Sequence, residues 1–524
     1  MAAEQGQIAE AHTPRHRALI TGCAMLATLM QVIDSTIANV ALPYMQGAMS
    51  ASADEITWVL TSYVAASAVM TAPVGWMARR FGRKPLFIAC LVGFTATSMM
   101  CGAAQTLTEM VLFRILQGVC GAAMVPLSQA VMLDIYSFEQ RAQAMAIFGI
   151  GIMVGPIMGP TLGGWLTEHY NWRWVFYVNL PLGILAVSGL ALFLPRGKAE
   201  HELRFDWLGF AMLAVGIGAL QMMLDRGQDQ DWFSSREIVT EAVLAGLGFY
   251  LFIVHMFTAE KPFLPRAAFR DRNFVASALI LFSVGMMLLS TTALLSLYLQ
   301  NLSNYPVETA GIALAPRGAG SMVSMLLASW LQKRIDARLI VAFGLVMLWW
   351  NLREMSGWTP DVSQFDLAVA LTEQGFAMGF IFNPITVLAF VTLAPPLRGD
   401  GAALQNLSRN IGAAIGISVT SSSLVRDAQA VHSDLAGLIT PFRRELQGAG
   451  PVARMLDPLS AHGSAMLDGI INRQAQIISY SNDFWLLSLV VVIPLLMLPL
   501  MRTHPPAPAA PAGGAGTPEA PAKA

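Results

Sequence analysis

The sequence has few charges, few cysteines and no basic face, and each of these gaps excludes a class of protein. Only 12% of the 524 residues are charged, whereas soluble domains carry about 25%, so a soluble globular protein is excluded. The four cysteines form no CxxC pair and no His/Cys cluster at metal-ligand spacing, so neither a metal site nor a cofactor is expected. Lysine and arginine do not alternate with aromatic residues, and no nucleic-acid partner is expected.

The motifs of nucleotide hydrolysis and of acyl transfer are also missing. No phosphate loop of the form GxxxxGK[ST] occurs, so nucleotide hydrolysis is not the expected energy source. No nucleophile elbow gathers Ser, His and Asp, and the chain is therefore not expected to be an enzyme. The leader up to Arg17 is polar, and the first apolar run is longer than a signal-peptide core, so the first span is expected to direct insertion.

Long apolar stretches are what the sequence does contain. Hydrophobic residues make up 55% of the chain and gather in about fourteen stretches that are long enough to cross a bilayer, which predicts an all-α membrane protein. Alternate short loops hold sixteen lysines and arginines against four in the others, which places both termini in the cytoplasm. The predicted spans are 18–43, 56–78, 85–104, 107–132, 142–165, 174–194, 207–224, 238–257, 274–299, 309–331, 339–355, 366–393, 400–424 and 484–501.

A short internal sequence similarity indicates that the chain consists of two duplicated halves. The segments 75–83 and 329–338, which end spans 2 and 10, each contain a tryptophan followed by paired basic residues. Spans 1–6 and 9–14 are then two six-helix bundles, with spans 7 and 8 inserted between them. The loop 425–483 within the second bundle is predicted to be a partly helical outer cap that contacts a partner or merely covers the cavity mouth. The predicted regions are a cytoplasmic N-terminus (1–17), an N-terminal bundle (18–195), two inserted helices (196–270), a C-terminal bundle (271–502) and a disordered tail (503–524).

A few ionisable residues interrupt the apolar spans, where charges are rare and usually functional. Asp34 in span 1 and Arg114 in span 4 both lie roughly 10–14 Å below the outer surface at 1.5 Å per residue, so they could pair. Glu373 and Arg317 fall at the same height, and Arg409 lies nearer the midplane. Because a buried carboxyl tends to take up a proton, Asp34 and Glu373 are the candidate proton carriers, with Arg114 favouring ionisation of Asp34. For the other two arginines, a structural interhelical hydrogen bond is the alternative.

Helical spacing groups polar residues with glycines on two spans. Positions 114, 117, 118 and 121 share one face of span 4, and positions 405, 409, 412 and 416 repeat the pattern on span 13. Glycines on such faces permit close helix approach, so both helices are expected to face a cavity or a tight neighbour. Ordinary packing is the alternative for every residue in this group. The candidate cavity residues are Asn39, Gln117, Phe380, Asn383, Gln405 and Arg409.

These residues resemble the motifs of the major facilitator superfamily, and within it the fourteen-span drug:proton antiporters of the EmrB/QacA type. Residues 29–43 are similar to the signature L-D-x-T-I-V-N-V-A-L-P, residues 75–84 to the gating motif G-x-L-A-D-R-x-G-R-[RK], residues 114–118 to the motif linked to proton coupling, and residues 155–164 to the antiporter motif. Arg79 stands where the gating motif has an acidic residue, which puts in doubt the charge contact that this acid normally makes between the two domains. In the antiporter motif, Ala146 replaces the first glycine. The two motifs assign gating roles to Gly75, Arg79, Arg80, Gly82, Arg83, Lys84, Gly155, Gly159, Pro160, Gly163 and Gly164.

The resemblance implies a major facilitator fold with 14 transmembrane helices, as two six-helix bundles plus two inserted helices. It also implies proton-coupled efflux of hydrophobic or amphipathic drugs across the bacterial inner membrane by alternating access. Residues 224–235 and 482–485 are similar to segments of EmrB-like proteins, which implies a periplasmic membrane-fusion adaptor and an outer-membrane channel as partners. A proton-coupled importer or exporter of one metabolite, and a non-transporting receptor or scaffold on the same fold, stay open as alternatives.

Overall fold

The computed structural model describes residues 14–502, apart from 138–139, 196–199, 201, 261, 304, 306–308, 310–311, 395–396, 440–455 and 457–458. The predicted tail 503–524 and most of the predicted N-terminal region lie outside these residues. In the described part of the chain the regular structure is entirely helical. This confirms the prediction of an all-α protein.

The first half of the chain contains ten helices, several of which meet at short breaks inside one predicted span. The helices are α1 (Pro14–Met49), α2 (Ala53–Ile56), α3 (Trp58–Thr71), α4 (Val74–Phe81), α5 (Arg83–Ala103), α6 (Leu107–Gly121), α7 (Met124–Ile135), α8 (Arg141–His169), α9 (Trp174–Tyr177) and α10 (Asn179–Phe193).

The inserted segment and the second half supply ten further helices. These are α11 (Trp207–Arg226), α12 (Arg236–Thr258), α13 (Arg266–Arg270), α14 (Arg272–Asn301), α15 (Ala315–Leu331), α16 (Ala337–Met355), α17 (Gln364–Val391), α18 (Arg398–Leu438), α19 (Ala461–Val490) and α20 (Val492–Met497). A short 3-10 turn lies at Trp232–Ser234 between α11 and α12, and another at Leu498–Leu500 after α20.

The fourteen predicted spans all coincide with helical structure in the residues that are described. Among the described residues, nine helical segments, three of which join consecutive helices, are long and apolar enough to cross a membrane, and the α3–α4 pair, bent by 58° at its break, makes a tenth if it is one span. Length and composition therefore confirm a multi-pass membrane protein. The count of fourteen crossings stays a prediction.

The helices of each half pack mainly on one another. In the first half α1 packs against α8 and α10, and α3 against α6; in the second half α14 packs against α18, and α15 against α17. The halves meet where α8 contacts α15 and α17, and where α18 contacts α4 and α7. The inserted helices α11 and α12 pack on each other and expose apolar side chains such as Leu208 and Val243, as expected of a surface in contact with lipid.

Helix α18 defines the two ends of the molecule. Its 41 residues span about 60 Å at 1.5 Å per residue, twice the hydrocarbon thickness of about 30 Å. It begins beside Gly75, at what we call the motif end. Its other end runs beside the first part of α19, where His432 Nε2 and Asp468 Oδ1 lie 2.9 Å apart, and we call this the hairpin end. The described parts of the predicted cap are therefore largely helical.

Candidate functional site

A fully buried polar cluster lies inside the first bundle, centred on Asp34 of α1. Arg114 Nη1 donates to Asp34 Oδ2 at 2.8 Å, Gln117 Nε2 donates to Oδ1 at 2.8 Å, and Asn179 Nδ2 donates to Oδ1 at 2.9 Å. Asp34, Arg114 and Gln117 are each 0% exposed. The structure therefore brings together the pair that the spacing of spans 1 and 4 suggested, and adds Asn179 from α10.

Neighbouring helices fix the guanidinium in place. Arg114 Nε donates to the carbonyl of Val59 at 3.0 Å, and its Nη1 also donates to Gln117 Oε1 at 2.9 Å. The guanidinium carbon lies 4.1 Å from the centre of the Tyr63 ring, a cation–π contact. Gly118 permits this arrangement, because a Cβ atom there would lie 2.5 Å from the carbonyl oxygen of Tyr63.

The geometry of the cluster favours an ionised carboxylate opposite a charged arginine. Three donors bond to the two oxygens of Asp34, and hydrogen bonds to the charged form stabilise it. A proton that reached Asp34 would leave Arg114 as a buried charge without its counter-ion, at a cost of about 3–5 kcal/mol. Protonation of Asp34 and rearrangement around Arg114 are therefore coupled events.

The second predicted proton carrier lies elsewhere. Glu373 on α17 is only half-buried, and the carboxylate that shares its surroundings is Glu354 at the end of α16. Arg317, which the sequence placed at the same height, donates to Thr292 Oγ1 at 2.7 Å and to the carbonyl of Leu288 at 3.0 Å. The hydrogen-bonded, structural alternative therefore describes Arg317. The role of Glu373 stays a prediction.

The candidate cavity residues occupy several different surroundings, and a cavity role for them stays a prediction. Phe380 packs edge-on against Phe343, with ring centres 5.6 Å apart. Asn383 Nδ2 donates to the carbonyl of Met325 at 3.1 Å, and Gln405 Nε2 donates to Ser277 Oγ at 3.2 Å. Gln117 belongs to the Asp34 cluster, Asn39 is exposed, and Arg409 is half-buried near the ring of Phe382.

The glycines of α8 bring its backbone against α1, the helix that carries Asp34. A Cβ atom at position 155 would lie 2.3 Å from Val32, one at 159 would lie 2.0 Å from Thr36, and one at 163 would lie 2.8 Å from Ile37. Gly164 is less crowded, with its nearest atom, on Val40, at 4.0 Å. Gly155, Gly159 and Gly163 therefore permit the close approach of α8 to α1, and the gating role of these glycines stays a prediction. The helix continues through position 160, but the side chain of Pro160 lies outside the described structure.

The gating motif forms the turn between α4 and α5. Gly82 joins the two helices with φ of 84°, a conformation that residues with a Cβ atom rarely adopt. Lys84 Nζ donates to the carbonyl of Ala191 on α10 at 2.7 Å. Gly75 gives α18 room, because a Cβ atom at this position would lie 1.9 Å from a carboxylate oxygen of Asp400.

Charged residues join the two halves at the motif end. Arg79 forms an ion pair with Asp400 of α18, so the interdomain charge contact questioned by the sequence is present with its sign reversed. Asp134 of α7, which the sequence reasoning missed, pairs with Arg83 and lies 3.8 Å from Arg398 of α18. Deeper in the interface, Asn406 Nδ2 donates to Gln129 Oε1 at 2.9 Å. Arg80 forms none of these contacts, and its Nη1 is buried without a hydrogen-bond partner among the described residues.

A buried ion pair inside the first of two helical bundles, together with apolar helices long enough to cross a bilayer, is typical of a polytopic membrane transporter. Sequence and structure comparisons then give the family. The chain belongs to the Major Facilitator Superfamily, whose family model matches residues 24–417.

Individual relatives cover most of the chain. It is 32% identical to the multidrug export protein EmrB of Escherichia coli (strain K12), over 89% of this chain and 92% of EmrB. It is 33% identical to the fatty acid resistance protein FarB of Neisseria gonorrhoeae, over 90% and 94%. Among solved structures, the human organic anion transporter MFSD10 superposes with a TM-score of 0.61 at 14% identity, covering 93% of this chain and 100% of that chain. That likeness shows the shared fold.

Proposed function

We propose that the chain exports hydrophobic or amphipathic compounds across the bacterial inner membrane in exchange for protons. The observation that carries this proposal is the buried Asp34–Arg114 pair, with Gln117 and Asn179 completing its hydrogen bonds. Relatives named for multidrug export and fatty acid resistance support export of such compounds. No nucleotide motif offers another energy source.

In this mechanism the proton and the substrate favour opposite conformations of the protein. A proton entering from outside neutralises Asp34 and releases Arg114, which favours the conformation open to the cytoplasm. Substrate binding and release of that proton inward then favour return to the outside. The ion pairs at the motif end between α4, α7 and α18 must break each time that end opens, which gives the gating motif its role.

Proton-driven transport is tested in sealed right-side-out vesicles that contain the full chain. With ethidium as a cationic probe, and with neutral and anionic dyes beside it, an outside-acid gradient should drive substrate outward, because entering protons supply the energy. Inward movement under the same gradient would identify an importer. Binding of a dye without any linked proton movement would identify a receptor or scaffold.

Substitution of Asp34 tests the site itself. Asp34→Asn cannot carry a proton, so we expect loss of gradient-driven transport with dye binding retained. Asp229→Asn, in the exposed turn between α11 and α12, is the matched control and should transport normally. Full proton-driven turnover by Asp34→Asn would remove this carboxyl from the mechanism.

We also propose that the hairpin end projects into the periplasm and contacts a membrane-fusion adaptor, which continues to an outer-membrane channel. Support comes from the length of α18, whose last turns lie beyond the bilayer thickness if its motif end lies at the cytoplasmic surface. Exposed apolar side chains, including Leu438, Leu459 and Ile470, lie on this extension. Both termini are then cytoplasmic, in agreement with the distribution of loop charges.

Shortening the extension tests this contact. Replacement of residues 430–475 by a short Gly/Ser linker should leave vesicle transport intact, while co-purification of the co-expressed adaptor and drug resistance of cells are lost. A second variant that replaces only 440–455 separates contact by these residues from contact by the helices α18 and α19. Adaptor binding retained in the 430–475 variant would exclude docking at this extension.

A further inference from the structure

Four carboxyl groups are buried in the described part of the chain, and one of them differs from the others. Asp34 and Asp400 each pair with an arginine, and Glu241 lies on the inserted helix α12 with one oxygen unpartnered. Asp483 of α19 is 0% exposed, and neither of its oxygens has a hydrogen-bond partner among the described residues. No described lysine, arginine or histidine lies within ion-pair distance of it. An ionised carboxylate in this position is costly, and binding a proton relieves that cost.

The groups around Asp483 are neutral or acidic. From α18, Ser423 and Asp427 face it, although the Ser423 hydroxyl completes no hydrogen bond of normal geometry. Tyr480, one turn earlier on α19, packs edge-on against Tyr298 of α14 with ring centres 5.5 Å apart. Just after α16, the Ser356 carbonyl accepts a hydrogen bond from Ser481, while the polar neighbours of Asp483 itself are Ser423 and Asp427.

The two neighbouring carboxyls differ in their burial and lie toward the hairpin end. Asp427 lies 29 residues beyond Arg398, hence about 44 Å from the motif end at 1.5 Å per residue, which exceeds the hydrocarbon thickness of about 30 Å. Asp427 is half-buried, whereas Asp483 is enclosed. The side chain of Asn482 donates to Asp427 Oδ2 at 3.4 Å, which keeps this carboxyl at the junction of α18 and α19. A half-buried acid therefore neighbours an enclosed one.

We propose that Asp483 is a proton-binding site of the second half of the molecule, loaded from the hairpin end through Asp427. A proton from the outer solution binds first at Asp427 and passes to Asp483, whose O–H then replaces an unpaired buried charge. This site rests on the proposed proton-coupled function and supplies it with a carboxyl in the C-terminal half that is more deeply buried than Glu373. No other reactant is consumed, because only a proton moves.

Infrared difference spectra of the purified full chain in lipid nanodiscs test the site without any substrate. In the wild type we expect a protonated-carboxyl band that titrates with pH and is missing in Asp483→Asn. The control Asp229→Asn should keep the band, and Asp483→Glu should keep it with a changed titration midpoint. A spectrum identical in the wild type and Asp483→Asn would overturn the proposal. If Asp483→Asn does not fold, an unchanged midpoint in Asp483→Glu would overturn it equally.

Transport then separates this site from the proposed function. In vesicles with ethidium, Asp483→Asn should lose the pH dependence of efflux, and Asp427→Asn should slow loading without removing the infrared band. If Asp34→Asn abolishes efflux but Asp483→Asn keeps the wild-type pH profile, the second proton site is wrong and the exporter stands. If the wild type moves no dye under a gradient while the infrared band behaves as expected, the exporter is wrong and the proton site stands.

Discussion

At the scale of single residues, the buried pair of Asp34 and Arg114 is sensitive to the loss of either member. Both side chains are removed from water, and a buried ion pair is stable only where further hydrogen bonds satisfy its remaining groups. Gln117, Asn179 and the Val59 carbonyl supply those bonds. The pair can therefore be stable at rest and still respond strongly to one proton.

A double-mutant cycle on the pair tests this argument. Arg114→Met keeps the volume of the side chain and leaves Asp34 as a lone buried carboxylate, so we expect a loss of about 3–5 kcal/mol in the free energy of unfolding. Adding Asp34→Asn removes that charge and should recover part of the loss. Unfolding in mixed detergent micelles gives the values, with Arg353→Met at the exposed end of α16 as control. Additive losses in the double variant would contradict a direct coupling.

At the scale of helices, contact between α1 and α8 depends on which glycines face the neighbour. Gly159→Ala brings a Cβ atom to 2.0 Å from Thr36, so we expect overpacking to cost about 1–3 kcal/mol and to slow transport. Gly164→Ala meets its nearest atom at 4.0 Å and should be tolerated. Thermal unfolding and dye efflux of the two variants provide the comparison. Equal behaviour of both would contradict the tight contact of Gly159 with α1.

Sequence patterns predicted what lies on one helix better than what meets across helices. Helical spacing placed Arg114 and Gln117 on one face, and depth counting placed Asp34 level with them, because 1.5 Å per residue fixes height along a span. Height alone also aligned Glu373, since it carries no information on how a helix is rotated or which bundle it joins. Asn179 reaches the cluster from a span whose spacing shows no polar stripe, so the sequence offered no signal for it.

At the scale of the whole molecule, the charges that join the halves are distant in sequence. Arg79 and Asp400 are separated by 321 positions, and the gating motif names only the first of them. The arginine at position 79 therefore does not show by itself whether the ion pair is lost, because the charge of its partner on α18 must also be known. The pair keeps an attraction between α4 and α18 with the acid on the second half, so the reversed charge still joins the halves at the motif end.

The two members of this pair are not equally exposed, and their removal should have unequal effects. The Asp400 side chain is 1% exposed and that of Arg79 is 23% exposed. Arg79→Gln therefore leaves a buried carboxylate unpaired, whereas Asp400→Asn leaves an arginine that can reach water. Because loss of one partner of a buried pair costs about 3–5 kcal/mol, and about 3 kcal/mol changes an equilibrium by about 150-fold, we expect Arg79→Gln to shift the population strongly toward an open motif end.

Spin labels on the exposed residues Phe81 and Leu339, one on each half at the motif end, measure this opening in a variant without its native cysteines. We expect the distance distribution to move to longer values in Arg79→Gln and to move less in Asp400→Asn. Because the double variant has no unpaired carboxylate, its distribution should resemble that of Asp400→Asn. Lys333→Gln, exposed at the same end, is the control for a change in charge alone. Equal shifts in the two single variants, or none in Arg79→Gln, would mean that the pair does not hold this end closed.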